Sequence, residues 1–335
     1  MLKKKLCAVL LCVMLAFCSS ALGCKPIPEG KINVYDGFSV HYLDVGQGDC
    51  IFIRLPDGKN VLIDTGDKDA RGDVAKYIKA YLNAYSVTKI DYLILTHPDS
   101  DHVGNADDIV DNYEIGKAFL PKVADTVIDL FPQYKRAEDK LKEKGVQTVI
   151  SAIYAHIIGE SYALVFLSPA PPSAPNSSYG DLNGSIVPEG SVVNNVSPII
   201  YLQAENARFV FTGDALKSQE EYVVNNYRTG IYSSFFNSLG VEINLSYIDY
   251  LKVGHHGADN ATGEEFLSLL IPTNAIISVG SENAYGHPSS IVQERLLSAN
   301  PSYNLFRTDR HGTIVVHKVN GVMTVTTQGE NMRIR

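Results

Sequence analysis

Apolar residues fall in short runs punctuated by turn formers, the pattern of successive strands. Phe38–Val45, Cys50–Leu55 and Val61–Asp64 each read as a strand, separated by the turn signals Gly46-Gln47-Gly48 and Pro56-Asp57-Gly58. A helix is expected near Ala70–Tyr85, then a buried strand over Asp91–Thr96 and a helix over Val103–Tyr113. Strands and helices continue to alternate through Val149. Pro169–Gly190, rich in Pro, Ser, Asn and Gly, reads as a long surface loop.

The pattern repeats faintly along the chain. Asp91-Tyr92-Leu93-Ile94-Leu95-Thr96-His97 is echoed by Asp249-Tyr250-Leu251-Lys252-Val253-Gly254-His255. Upstream of each lies a strand that ends in an Asp beside a Gly, at Asp64-Thr65-Gly66 and at Gly213-Asp214. Two such halves suggest two packed sheets, each supplying functional side chains from its strand ends. The alignment pairs His255, rather than His256, with His97.

The N-terminus follows other rules. Lys3, Lys4 and Lys5 precede the apolar run Leu6–Phe17, and Ala21-Leu22-Gly23 offers small residues for cleavage. The run is shorter than the roughly 20 residues of a membrane span, so residues 1–23 are expected to be a signal peptide. Residues 24–36 then form a tether and residues 37–335 one folded domain. Ala21-Leu22-Gly23-Cys24 is also similar to a bacterial lipobox, which would place the chain at the cell surface as a lipoprotein on Cys24; otherwise it is secreted. Loss of Cys7, Cys12 and Cys18 leaves Cys24 and Cys50, too few for a disulfide scaffold. No later stretch is apolar for long enough to cross a bilayer. The mature part carries 26 basic and 37 acidic residues, a net charge of about −11. That balance disfavours non-specific nucleic-acid binding through Lys and Arg, though not a nuclease whose metals neutralise phosphate.

The stretch Thr96-His97-Pro98-Asp99-Ser100-Asp101-His102-Val103-Gly104 places four metal-binding side chains within six residues. Imidazole nitrogens and carboxylate oxygens are ligands for zinc, manganese or iron. Their spacing does not share one helical face, so the cluster is expected on a loop. Side chains fanning from a strand-to-helix turn can grip two adjacent cations.

An Asp in Leu62-Ile63-Asp64-Thr65-Gly66, the His97–His102 cluster, Thr212-Gly213-Asp214 and Gly254-His255-His256-Gly257, in that order, resemble the metallo-β-lactamase superfamily. More narrowly the chain is similar to the metal-hydrolase domain of the ComEC competence proteins. Leu43-Asp44-Val45-Gly46-Gln47-Gly48-Asp49, Ser278-Val279-Gly280, Tyr285-Gly286-His287-Pro288 and Arg307-Thr308-Asp309 extend the match. The resemblance implies an α/β fold, an αββα four-layer sandwich with a metal site at one edge of the sheets. It implies that His97 and Asp99 hold a first metal, that Asp101, His102 and His255 hold a second, and that Asp214 bridges them. Asp64 would orient the cluster by hydrogen bonding. His256 would contact substrate or pack behind His255, and His287, near Tyr285, would touch the leaving group or phosphate unless it is only a turn residue.

Two departures from the superfamily pattern matter. Asp99 stands where a second histidine is usual, and the histidine expected between the cluster and Asp214 is absent. Asn195 or Ser197 is expected to face the metals instead. The cofactor expectation is two divalent ions, zinc first, with manganese a competitor at the oxygen-rich site.

The implied function is an exported metal-dependent hydrolase, a phosphodiesterase or nuclease. A hydroxide held between ions about 3.5–4 Å apart would attack the ester, with Asp101, Asp214 and His287 central to catalysis. Its partner would be a phosphodiester, DNA among the candidates, and the membrane if Cys24 is lipidated. The alternatives are phosphorylcholine-esterase-like action, β-lactam or thioester hydrolysis, or a non-catalytic metal-binding lipoprotein. His41, His156, His311 and His317 lack partners at ligand spacing and read as structural or surface residues.

Overall fold

The computed structural model describes residues 32–69, 72–123, 125, 127–170, 193–281 and 283–329. The expected signal peptide, Cys24, most of the tether and most of the loop Pro169–Gly190 lie outside the described residues.

Six strands come first: β1 Ser39–Tyr42, β2 Ile51–Arg54, β3 Asn60–Ile63, β4 Lys89–Ile94, β5 Glu114–Leu120 and β6 Gln147–Ile150. Seven then build a second sheet: β7 His156–Ile158, β8 Tyr162–Phe166, β9 Ile200–Ala204, β10 Ala207–Phe211, β11 Tyr250–Lys252, β12 Asn274–Ile277 and β13 Asn304–Arg307. The last two, β14 Ile314–Val319 and β15 Val322–Thr327, return to the first sheet, whose order is β15-β14-β1-β2-β3-β4-β5-β6. The second sheet runs β13-β12-β11-β10-β9-β8-β7. β3 through β6 are mutually parallel, as are β10 through β13. The faint repeat is thus a repeat of parallel strand pairs, β3–β4 in one sheet and β10–β11 in the other.

Side-chain alternation separates the layers. Ile51, Ile53, Val61 and Ile63 face Leu164, Phe166, Phe209 and Phe211 between the sheets, whereas Phe52, Leu62 and Leu93 face the helices outside. Because the central strands are covered on both faces, they read as nearly continuous apolar runs. Phe119 stacks on Phe166 across the sandwich with ring centres 5.0 Å apart. Each such fully buried side chain contributes roughly 1.5–3 kcal/mol of transfer free energy. Helices cover the outer faces: Asp73–Ala84, Ala106–Asn112 and Pro132–Glu143 on the first sheet, with Lys217–Arg228, Glu264–Leu270 and Ser290–Ala299 on the second. The four layers are αββα.

Two helix boundaries differ from the sequence expectation. The helix near residue 70 starts at Asp73, because Asp69 accepts from Asp73 N at 3.1 Å and Val74 N at 2.8 Å and satisfies its first turn. A short helical turn over Ser100–Val103 already contains Asp101 and His102, so the cluster lies only partly on a loop. The next helix waits until Ala106. Between them Gly104 N donates to Gly66 O at 3.0 Å, and Asn105 Nδ2 donates to Thr65 O and Asp67 O, both at 2.9 Å. These bonds pull the chain towards the end of β3 and interrupt the helix.

Candidate metal centre

The site forms where the C-terminal ends of β3 and β4 meet those of β10 and β11. Asp64 leaves β3 at a φ of 58°, a conformation rare for a residue with a Cβ, and is wholly buried. Its Oδ1 accepts from Thr96 N at 2.8 Å, and its Oδ2 accepts from Thr96 Oγ1 at 2.7 Å and His102 Nδ1 at 2.8 Å. A carboxylate can only accept here, so the His102 proton sits on Nδ1 and the Nε2 lone pair points inward. His256 is set the same way, its Nδ1 donating to the Ser278 carbonyl at 2.8 Å. Thr96 Oγ1, whose own proton goes to Asp64, accepts from His97 Nδ1 at 3.1 Å. Three Nε2 lone pairs are thereby aimed at one region.

His102 Nε2 and His256 Nε2 face each other at 3.3 Å. Two lone pairs at that separation repel unless a proton or a cation lies between them. Asp214 reaches in from the second sheet, with Oδ1 3.3 Å from His102 Nε2 and Oδ2 3.5 Å from His256 Nε2 and 3.9 Å from His97 Nε2. Asp101 Oδ2 lies 3.2 Å from His256 Nε2, and Asp99 Oδ2 lies 3.5 Å from His97 Nε2. Yet His97 Nε2 and Asp214 Oδ1 are buried without a hydrogen-bond partner. His97, His102 and Asp214 form one group with donor atoms within 4.8 Å of one another, and Asp101, His102 and His256 form another. Converging, unsatisfied nitrogen and carboxylate donors are what divalent cations require, so the residues present fit them.

Electrostatics point the same way. Burial alone would lower the His102 pKa, but the carboxylates of Asp214, Asp101 and Asp64 outweigh it and raise it well above the usual value. Burial opposes His256 as well, and Asp214, Asp101 and Asp49 raise it. Asp101 and Asp214, which burial alone would push up, are held well below the usual carboxylate range by the imidazoles around them. Without a cation the cluster is thus an imidazolium–carboxylate network whose protons a metal would displace.

The expected site residues divide. His97, Asp99, Asp101, His102 and Asp214 converge, and Asp64 orients from behind. The last histidine needs correction: His256, not His255, meets Asp101 and His102. His255 Nδ1 bonds Asn260 Oδ1 at 2.9 Å, and its Nε2 bonds Asn194 Nδ2 at 3.2 Å, so both ring nitrogens already have partners. It remains at the mouth, Nε2 3.7 Å from Asp214 Oδ2. Asn195 is engaged elsewhere, accepting from Ser218 Oγ at 3.0 Å, and its neighbour Asn194 reaches the site instead. Ser197 accepts from Asp214 N at 3.3 Å and so supports that loop. His287, half-buried, lies with its ring 5.8 Å from that of His255, and the exposed Tyr285 stacks on it at 5.7 Å. The turn Gly46–Gly48 buttresses the cluster: a Cβ on Gly48, at a φ of 123°, would stand 2.1 Å from the Asp101 carbonyl oxygen.

Two neighbours of the cluster were not among the residues expected at the site. Asp49 and Lys252 form a buried ion pair at 2.7 Å just behind His256. The available signal was a lysine inside an otherwise apolar strand, Tyr250-Leu251-Lys252-Val253. His41, by contrast, is a satisfied core residue, bonded to Tyr81 and Ser39 at 2.9 and 2.8 Å. Cys50 is a buried free thiol.

Residues 43–281 match the family model described as the Metallo-beta-lactamase superfamily. The chain is similar to "ComE operon protein 3" of Bacillus subtilis (strain 168), 30% identical over 302 residues, covering 85% of this chain and 34% of that protein. It is also similar to "Competence protein ComA" of Neisseria gonorrhoeae, 26% identical over 291 residues, covering 87% of this chain and 33% of that one. The chain thus spans about a third of the length of these curated relatives. Among solved structures, the metallo-beta-lactamase fold protein YhfI from Bacillus subtilis aligns with a TM-score of 0.45 at 10% identity, covering 84% of this chain and 99% of that one.

Proposed function

The chain belongs to the metallo-β-lactamase superfamily, and on that premise we propose that it is a metal-dependent phosphodiesterase acting outside the cytoplasm. The observation that carries the reading is the pair of donor groups in reach of one buried carboxylate, Asp214. His97, Asp99 and Asp214 would hold one divalent ion. Asp101, His102, His256 and Asp214 would hold the other. The second set has two imidazoles and suits zinc; the first has one imidazole and two carboxylates, which lets manganese compete. Two such ions supply Lewis acidity and a water that is deprotonated near neutral pH.

The remaining work falls to the chain's own groups. Asp64 and the Ser278 carbonyl keep His102 and His256 in the tautomer that presents Nε2. His255 and His287 stand at the mouth, where a phosphate oxygen or leaving group would lie. Burial first, then His255 and His256, pushes the His287 pKa below its usual value, so its imidazole is neutral at neutral pH. A neutral imidazole there can bond to a leaving oxygen without adding a fixed charge. The carboxylate-rich first position, lacking a further nitrogen ligand, weighs against β-lactam hydrolysis and for a substrate whose anionic oxygens span both ions.

Export is supported by the basic Lys3–Lys5, the apolar Leu6–Phe17 and the small residues before Cys24, with lipidation of Cys24 as the proposed anchor. Among the described residues no helix is long and apolar enough to cross a membrane. The name of one relative, "Competence protein ComA", refers to competence, and DNA is the first natural diester we would try.

The test reconstitutes the purified chain separately with zinc and with manganese and follows a chromogenic phosphodiester, with a β-lactam alongside and Asp101→Ala as control. Metal-dependent diester cleavage that Asp101→Ala abolishes is the expected result. Turnover of the β-lactam alone, or none with both ions bound, would overturn the reading.

A further inference from the structure

Tyr285 stands beside the mouth of the metal centre and is 72% exposed, the highest value for a large hydrophobic side chain among the described residues. Exposure of a single ring is ordinary by itself; its placement is not. One face of the ring lies nearly parallel to the His287 imidazole, at an interplanar angle of 15° and a centroid distance of 5.7 Å. The His287 ring lies 5.8 Å from that of His255, whose Nε2 is 3.7 Å from Asp214 Oδ2. Three rings therefore lead outward from the carboxylate at the centre of the cluster, and Tyr285 is the last of them.

The segment that carries Tyr285 is held at both ends. Asn283 Nδ2 donates to the Gly280 carbonyl at 3.0 Å and to the His287 carbonyl at 2.8 Å, and its Oδ1 accepts from His287 N at 2.9 Å. Gly280 N donates to Gln47 Oε1 at 3.2 Å, and Ser289 N donates to the Gly257 carbonyl at 2.9 Å. These bonds tie the segment to the turn behind Asp101 and to the turn of His255 and His256. A ring ordered before its ligand arrives loses little further entropy on being covered.

Charge and ring geometry narrow the ligand. The whole sequence carries a formal net charge of −8, a poor basis for holding a polyanion through Lys and Arg alone. Stacking on an aromatic ring needs no charge, and every nucleobase has a face to offer it. A quaternary ammonium ligand calls for a cage of rings. Among the described residues, His287 is the one ring in contact with Tyr285.

We infer that Tyr285 is a specificity residue that stacks on a nucleobase beside the diester held at the metals, and that the ligand is a single-stranded nucleic acid. The inference rests on the phosphodiesterase reading above. In a duplex each base is covered on both faces by its neighbours, so a ring at the mouth finds nothing to stack on. An unpaired strand can turn a base outward while its phosphate stays at the ions. The free face of Tyr285 takes that base, and His287 supports the ring from behind.

The test uses the full chain loaded with zinc and measures equilibrium binding of a short oligodeoxyadenylate, with phosphorothioate linkages to slow its hydrolysis. The controls are the same strand with abasic sites throughout and the same strand paired in a duplex. The wild-type chain should bind the base-bearing single strand about ten-fold more tightly than either control. In Tyr285→Ala both ratios should fall close to one. Tyr285→Phe should keep them, because the ring and not the hydroxyl makes the contact. The chain contains no tryptophan, so Tyr285→Trp adds a lone fluorophore at the mouth. The base-bearing strand should quench its emission and the abasic strand should not. Wild-type ratios near one, a Tyr285→Ala chain that keeps the wild-type ratios, a Tyr285→Phe chain that loses them, or a Tyr285→Trp emission that answers both strands alike would each overturn the inference. Base-dependent binding by a chain that cleaves no diester would sink the phosphodiesterase proposal and leave the stacking site standing. Turnover of a chromogenic diester without base-dependent binding would do the reverse.

Discussion

His102 from the first sheet and His256 from the second bring their Nε2 atoms to 3.3 Å from each other, with each Nδ1 already committed to a partner behind it. The contact joins the two halves of the sandwich where both present lone pairs. It also separates the roles of two adjacent histidines. His256→Ala should lose one metal equivalent per chain. His255→Ala should keep both and lose mainly turnover. Elemental analysis of the two purified variants, beside a diester assay, distinguishes them, and retention of full metal by His256→Ala would refute the assignment.

Asp64 contributes no inward-facing donor yet holds both Thr96 and His102. Asp64→Asn replaces one accepting oxygen with an NH2 donor, which cannot accept the His102 proton. The imidazole then loses its orientation and some of its basicity. Metal affinity is expected to fall by about 10–100-fold while the fold survives. Chelator competition measures the loss; an unchanged affinity would show that Asp64 only fills space.

Gly48→Ala should act on the same centre from outside it. The added methyl meets the Asp101 carbonyl at 2.1 Å, and the φ of 123° is itself unfavourable for alanine. The turn must shift and take the backbone of Asp101 with it. A loss of about 1–3 kcal/mol in unfolding free energy, together with weaker metal binding, is expected from urea titration and chelator competition. Stability lost with metal affinity intact would show that turn and cluster are not coupled.

Glu220 offers a pH dependence remote from the metals. Burial pushes its pKa up from 4.5 to about 7, against the opposing effect of bonds from Gly263 N at 2.8 Å and Thr262 N at 2.5 Å. An acid whose pKa is raised by folding binds more protons folded than unfolded between those two values. The stability contributed by this group is therefore fully present below pH 4.5 and is lost as pH rises through about 7, on the order of 3 kcal/mol. Glu220→Gln should flatten that slope. Urea unfolding at pH 5 and pH 8 reads it out, and an identical slope in the variant would exclude Glu220 as its source.

Much of this architecture was legible in one dimension. The apolar runs marked β1 to β4 to within a few residues, because strands buried on both faces leave a dense apolar signal. The spacing His97, Asp99, Asp101, His102 announced the metal chemistry, since its side chains are neighbours in sequence and need no long-range information. The interruption at Gly104 and Asn105 was not legible, because it depends on bonds to Thr65, Gly66 and Asp67 at the end of another strand.

The sequence by itself determined the family, the αββα layering and the inventory of acids and histidines. The tertiary structure alone decided where each of two adjacent residues points. His255 and His256 both sit at positive φ, 45° and 53°, in a turn so tight that one step along the chain carries a side chain from the mouth to the interior. The same one-residue ambiguity separates Asn194 from Asn195. Asp49 and Lys252 stand 203 positions apart and come from different sheets, so nothing local in either segment could reveal the pair. Direction at a turn and contact between sheets are set by how the two halves pack.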